Sequence, residues 1–486
     1  MGQVSPSVPT TPSLVLNCVD GFPRLEFDIP WSGIQETATM LDPSINRRHF
    51  SLTALGATGL SLFPGLNSIS NGATFPRRAR SCIIVYLWGG IAHQESWDPK
   101  PDAKQELRGE FNSIPTATPG VHFSEHLPRL AKLSEQLAVV RSLHHEVGGH
   151  GGALYRSITG DGRPQGKARN RKNWPSVTAM ISRFRQADAG TPHSVCMPYL
   201  NYDNGSLIQG QFGGWLGGGF DPLMMKTPAG RPYAGTSRYT DTELDLKLNQ
   251  PAERVLQRQS LRASLEKSVS ADGDFDAYMR FRNMASDMLL SSPVNTAYQL
   301  DQEDPRIRVL YGDHIGGQSF LLARRLIEAG VPVVQINAGA GDLAGGNGDN
   351  WDTHRDHFPK MKNRLLPVLD QSLSALLMDL DQRGMLDETL VAVLTDFGRT
   401  PKINNNGGRD HYPAVYSQIL AGGGIRGGVV YGKSDPDGVA PAENACAPAD
   451  FHATMYQALG INPKSELEDM EGRPFQICQG EPLPLF

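Results

Sequence analysis

Cysteine is scarce in this 486-residue chain. The five thiols, Cys18, Cys82, Cys196, Cys446 and Cys478, lie far apart, are odd in number and form no Cys-x-x-Cys pair. That pattern excludes a zinc knuckle and a dense disulfide framework, while one or two bridges stay open. An excess of one charge is lacking too: 46 Lys and Arg stand against 51 Asp and Glu, for a net of −5. With no basic stripe and no arginine-aromatic platform, nucleic acid is not an expected partner. No repeat or low-complexity segment stands out. What remains is a globular sequence, long enough for one large domain with insertions or for two to three ordinary ones.

The strongest targeting signal is the pair Arg47-Arg48, followed by a modestly apolar run at 52–63. It resembles a twin-arginine export signal. The run is too short and too glycine-rich to span a bilayer as a stable helix, so no membrane anchor is expected once the signal is removed. Such signals sit near a start codon, and Met40 begins a suitable one. The reading is therefore that 1–39 is a mis-called extension, 40–75 the signal and linker, and 76–486 a single domain. Export of an already folded chain to the periplasm or beyond follows from it, and hints at a metal loaded beforehand.

Along the chain, apolar runs alternate with helical spacing. The run at 81–88 ends in Gly89-Gly90, as a strand buried on both faces would. A helix is expected over 126–137, a strand over 138–143, a helix from about Pro175 and a strand over 194–200. Residues 201–305 read as an insertion. A helix then runs to Ala329-Gly330 and into a strand at 331–337. The apolar residues Phe358, Met361, Leu365, Leu369, Leu373, Leu376 and Leu380 predict one long amphipathic helix, followed by a strand at 389–395. Such alternation implies a three-layer α/β/α sandwich with a mostly parallel central sheet.

In sheets of that kind the ligand site lies outside the carboxyl ends of the strands. Polar loops follow three of these strands, carrying His93 and Glu95, then Asp352, His354 and His357, then Asp396, Arg399, Arg409, Asp410 and His411. A fourth, glycine-rich loop holds His144, His145 and His150. Imidazole and carboxylate are usual ligands for zinc, manganese or iron, and short clusters from adjacent strand ends can converge. A solvated helix start at 351–357 and an exposed turn at Asp410-His411 are the competing readings.

The order of these motifs resembles the exported bacterial family called domain of unknown function 1501, over roughly residues 45–465. It rests on the segment from Gly89 to Pro101, on Arg141 through Gly160, on Ala323 through Val334, and on the stretches around Trp351, Asp396 and Arg409. That family looks like a divergent branch of the alkaline phosphatase and sulfatase superfamily, which implies an alkaline phosphatase-like fold with metals at the strand ends. The superfamily's late Asp-His-Gly is Asp396-Phe397-Gly398 here, and its first-strand Asp-Gly is Gly89-Gly90, so one metal position has lost much of its ligand set. Counting back from Thr159-Gly160, the nucleophile position falls on or beside His150, where no hydroxyl or thiol stands. Cys196-Met-Pro-Tyr-Leu lacks the arginine of a formylglycine motif, which disfavours a sulfatase of that kind.

The expected metal ligands are Asp352, His354, Asp396 and His411, with His93 and Glu95 available to rebuild a second position. The cofactor expected is a divalent ion, zinc first, with manganese or calcium as alternatives. His150 is expected to act as ligand or acid/base, and Arg399 and Arg409 to pair with an anionic substrate. Two functions stay open: a metal-dependent hydrolase of phosphate, sulfate or related esters, carbohydrate esters included, or a non-catalytic exported binding or surface-associated protein on the same fold.

Overall fold

Seven strands of the central sheet run one way and one runs against them in the computed structural model of the chain. The structure describes residues 79–486 apart from 162–163, 165, 189, 226–232, 234–237, 241–243, 245–251, 267–291 and 340–349. Of the separate unit Met1–Leu66 it describes one antiparallel pairing, Cys18–Val19 with Phe22–Pro23. The twin-arginine stretch and the boundary expected at about 75 lie outside the described residues.

In chain order the strands of the central sheet and of the small pair beside the site are β1 Ser81–Leu87, β2 Leu137–Leu143, β3 Val195–Met197, β4 Leu223–Met224, β5 Val333–Asn337, β6 Thr389–Thr395, the small pair β7 Gly398–Arg399 and β8 His411–Tyr412, then β9 Tyr416–Ala421 and β10 Val429–Tyr431. The central sheet has the order β4-β3-β5-β1-β6-β9-β2-β10, and only β9 is antiparallel to its neighbours. The helices that concern the site are α1 His150–Thr159, α2 Val177–Phe184, α3 Ile315–Glu328, α4 Leu366–Gln382 and α5 Pro448–Ala458.

Alternation along the strands creates the layers. In β1 the residues Ile83, Val85 and Leu87 pack into one core with α3 and α4, while Cys82, Ile84 and Tyr86 pack into the other with α1, α2 and α5. Successive side chains of a strand point to opposite faces, so a continuous apolar run must be covered on both. Each fully buried Leu, Ile or Val contributes about 1.5–3 kcal/mol, and both cores are made largely of such residues. The expected three-layer α/β/α arrangement with a mostly parallel sheet is the one observed.

Register then decides where the loops go. Leu87 lies opposite Thr395, and Asn337 opposite Tyr86, so β1, β5 and β6 end level with one another. β9 returns antiparallel, with Tyr416 opposite Leu143, the last residue of β2. The loops after β1, β2, β5 and β6 therefore leave from one rim, with all the candidate residues on them.

Two expectations change in detail. The long helix is broken into a turn at His357–Lys360, a π turn at Met361–Leu365, and α4. Pro367 has no N–H to continue the ladder, and the wider π turn absorbs the lost bond. The helix expected over 126–137 is a short one at Pro128–Lys132 with a 3-10 turn at Ser134–Gln136, because β2 already begins at Leu137. Of the expected insertion, Leu223–Met224 joins the edge of the central sheet beside β3, and Ala252–Glu266 is helical. No helix among the described residues is long and apolar enough to cross a membrane.

Candidate metal centre at the sheet rim

His150 opens α1, after Gly149 in extended backbone. Its ring lies stacked on Trp88 at 4.8 Å between centroids, tilted against Phe397 at 5.0 Å and edge-on to His411 at 4.1 Å. Packing on three sides leaves the imidazole little freedom. Its Nδ1 donates to Asp396 Oδ2 at 2.6 Å, since an ionised carboxylate can only accept. The Nε2 atom faces Asp352 Oδ1 at 3.3 Å, is buried and makes no hydrogen bond.

The other two histidines repeat this arrangement. His354 Nδ1 donates to Asp410 Oδ1 at 2.6 Å, and His411 Nδ1 donates to the Gly148 carbonyl at 2.8 Å. With each Nδ1 committed as a donor, a neutral ring must present a lone pair at Nε2. The Nε2 atoms of His354 and His411 lie 2.9 Å apart, and 3.1 and 3.3 Å from the same Asp352 Oδ1. His150, Asp352 and His411 offer ligand atoms that all lie within 4.8 Å of one another, and His354 abuts the last two.

Lone pairs and an anionic oxygen converging at this range repel unless positive charge lies among them. The protein's own substitute is a proton. Burial alone would lower the His150 pKa, but the carboxylates of Asp352 and Asp396 outweigh it and raise it to about 9. Burial would raise Asp352, yet the imidazoles of His150, His354 and His411 around it, with Arg399 behind them, hold it well below the usual carboxylate range. A divalent ion answers the same demand. Donors about 2.0–2.1 Å from a tetrahedral zinc stand roughly 3.3 Å apart, close to the spacing of neighbours here. A histidine whose other nitrogen is held by a carboxylate or carbonyl is the usual form of a ligating imidazole.

Close backbone packing brings the loops together. A Cβ on Gly89, whose φ is +109°, would lie 2.3 Å from the Asp352 nitrogen, so only glycine lets the end of β1 approach that loop. On the other side, a Cβ on Gly408 would sit 2.0 Å from the His354 carbonyl.

The remaining candidates have other partners. Asp396 is fully buried. Its Oδ1 accepts from the Gly89 N–H and the Thr395 hydroxyl, each at 3.2 Å, and its Oδ2 holds His150, so the carboxylate fixes the orientation of that ring. Glu95, expected to help rebuild a second metal position, is fully buried between Arg409 at 2.5 Å and His357 at 3.1 Å. His93, expected beside it, is buried with its Nε2 against the Gly438 carbonyl at 3.2 Å. Arg399 and Arg409, expected to meet an anionic substrate, are both completely buried. Arg399 donates to the carbonyls of Gly89, Gly90 and Arg409 and to Asp352, while Arg409 serves Thr400, Pro401, Leu107 and Glu95. A guanidinium with its donors spent on the loops themselves is a brace for those loops.

Sequence reasoning left His150 open between ligand and acid/base, and missed Trp88, Phe397 and the Gly148 carbonyl as the groups that orient the rings. Aromatic residues within two positions of a strand end, at 88 and 397, were the available signal.

Fold and cluster together define a three-layer α/β protein with a histidine-carboxylate centre on its sheet rim. The chain belongs to the family described as "Protein of unknown function (DUF1501)", whose model matches residues 79–484. No curated protein matches it. Among solved structures it is loosely similar to Ps i-CgsB, at 9% identity over 83% of this chain and 75% of that one, with a TM-score of 0.39. Other likenesses are the lipoteichoic acid synthase LtaP from Listeria monocytogenes, at 11% identity over 81% and 74% with a TM-score of 0.34, and an alkaline phosphatase superfamily protein from Vibrio parahaemolyticus, at 10% identity over 80% and 68% with a TM-score of 0.35. Superpositions this loose carry no argument about chemistry.

Proposed function

We propose that the protein is an exported, metal-dependent hydrolase of phosphate, sulfate or related esters, those borne on carbohydrates included. The observation that carries the reading is the convergence of the Nε2 atoms of His150 and His411 on Asp352 Oδ1, with His354 against the last two. His150, Asp352 and His411 would hold the ion, with His354 as the more exposed fourth donor. Three imidazoles and one carboxylate suit zinc first and manganese second; calcium, which takes six to eight oxygens, fits poorly. A divalent ion, when bound, supplies positive charge that stabilises an anionic transition state and makes water a stronger acid.

The chain's own groups do the rest. Asp396, Asp410 and the Gly148 carbonyl keep the Nδ1 protons in place, while Trp88 packs on His150 and Phe397 on both His150 and His411. His150 stands on or beside the position that the family resemblance gives to a nucleophile, but its Nδ1 is held by Asp396 and its Nε2 is turned to the ion site beside Asp352. Direct attack by water is then the simplest chemistry. Export rests on the twin arginines at 47–48.

One observation favours the second reading, an exported binding protein: Arg399 and Arg409 are buried, so neither waits at the centre for an anion. Metal analysis of protein purified without added ions, followed by a screen of phospho- and sulfo-esters, separates the two. A bound ion with turnover that disappears in Asp352→Ala supports the hydrolase. A metal-free, inert protein sinks it.

A further inference from the structure

The loop that joins β2 to α1 carries three histidines. His150 belongs to the centre, His144 is exposed, and His145 is buried beside Tyr416, whose ring it meets edge-on at 5.5 Å. Backbone pairing along this loop stops at His145. The His144 N–H donates to the Cys446 carbonyl at 3.0 Å and the His145 N–H to the Pro413 carbonyl at 2.9 Å. From there to α1 the chain crosses the rim with little to hold it. A Cβ at Gly148 or Gly149 would meet nothing within 4 Å, so no packing fixes the backbone there. Glu146 is taken by Arg156 at 2.7 Å, but its side chain is 72% exposed, and a pair so open to water holds little. Yet the Gly148 carbonyl stands 2.8 Å from His411 Nδ1 and orients that ring.

The His145 imidazole makes two hydrogen bonds of opposite sense. Its Nδ1 accepts from the Val147 N–H at 3.1 Å, which closes a short turn just before Gly148. A ring nitrogen that accepts carries no proton, so Nε2 carries it and donates to the Asp396 carbonyl at 2.7 Å. Burial pushes the pKa of this imidazole down, in keeping with the neutral form those bonds need. One ring thus ties the loop to the end of β6. On the loop side it sets the approach to the carbonyl that orients His411, and on the strand side it grips the residue whose carboxylate orients His150.

We infer that His145 is a positioning residue of the metal centre, the link that holds the outer partners of His150 and His411 in one arrangement. This rests on the metal-dependent hydrolase reading and adds a residue to it. Imidazoles close on an ion only while their Nδ1 partners stay in place, and such partners are usually worth about 10–100-fold in metal affinity. Two of the three partners hang on His145. The third, Asp410, is held from its own loop by Asn404.

The test is zinc affinity, measured on the full chain by competition with a chelator of known affinity, with circular dichroism to confirm folding. Asparagine and glutamine divide the work of the ring, since Asn places an acceptor where Nδ1 stands and Gln a donor where Nε2 stands. His145→Ala loses both bonds and should bind zinc about 10–100-fold more weakly than the parent. His145→Asn and His145→Gln each keep one bond and should fall between. His144→Ala, at an exposed position of the same loop, should bind as the parent does. A merely structural His145 would lower the melting temperature of its variants and leave the zinc affinity of the folded protein unmoved. Parent-like affinity in all three His145 variants, or an equal loss in all three, overturns the inference. If His145→Ala does not fold, parent-like affinity in the Asn and Gln variants overturns it in the same way. A parent that binds no zinc sinks the hydrolase reading and this inference with it, so the two failures are told apart.

Discussion

His354 and His357 lie one helical turn apart in sequence, yet their rings end in opposite circumstances. His357 is fully buried, with Nδ1 bonded to the Thr353 hydroxyl at 2.6 Å and Nε2 to Glu95 at 3.1 Å. Glu95 is in turn paired with Arg409, so each charge in that group has its opposite. His354 keeps 41% of its side chain exposed, and its Nε2 is aimed at two other ligand-type atoms. Both groups consist of histidine, carboxylate and arginine. Only in the second do acceptors outnumber donors. That imbalance is what a ligand could answer, because a closed set of pairs has nothing left to offer one.

The largest expected effect comes from emptying the unbalanced cluster. Asp352→Ala should abolish metal retention and lower turnover about a thousand-fold. Asp352 also pairs with the fully buried Arg399, so some stability should be lost with it, but neither hydrophobic core depends on Asp352 and the fold should survive. Elemental analysis beside circular dichroism checks this, and an Asp352→Ala protein that still carries a full complement of metal breaks the comparison.

The balanced cluster should fail in the other way. Arg409→Met leaves Glu95 buried without its cation and should cost about 3–5 kcal/mol of stability. Urea denaturation reads the loss directly. Metal bound per folded molecule should stay near that of the parent at low temperature; a variant as stable as the parent but stripped of metal would place Arg409 in the wrong group.

A buried histidine remote from both clusters sharpens the contrast through pH. His452 donates from Nε2 to the Ser157 carbonyl at 2.8 Å, and burial pushes its pKa down to about 4. The unfolded chain takes up a proton near pH 6.5 that the folded chain refuses until about pH 4. The sign follows: the contribution is fully present above about 6.5 and drains away as pH falls towards 4, by about 3 kcal/mol in all. Urea midpoints between pH 7 and 4 should fall less steeply in His452→Gln than in the parent. Identical slopes would mean that His452 is not neutral in the fold.

How much of this could be read from residues alone depended on the range of the interaction. β1 and β6 announce themselves because burial on both faces demands an unbroken apolar run, and their level ends follow from parallel pairing. The four rim loops were therefore legible, and with them Asp352, His354 and His411. Which oxygen or nitrogen each side chain uses was not. Glu95, Arg399, Arg409 and Asp410 are polar residues of the same loops, separable only once Arg409 is seen to reach Glu95 across more than three hundred residues. The π turn at Met361–Leu365 was hidden because Leu and Met keep their apolar spacing through it.

The finest test concerns Asp396, which stands between the two kinds of group: fully satisfied itself, yet attached to a ligand that is not. If it only holds the His150 Nδ1 proton, Asp396→Asn should weaken metal affinity about 10–100-fold, the usual cost of losing a group that orients a ligating histidine. Competition against a chelator of known affinity measures this, and metal supplied in excess should restore most of the turnover. A ligand would behave differently. Were an Asp396 oxygen bonded to the ion, the loss would match that of Asp352→Ala and excess metal would not repair it, whereas a positioning carboxylate leaves three imidazoles and Asp352 still able to close on the ion once it is abundant.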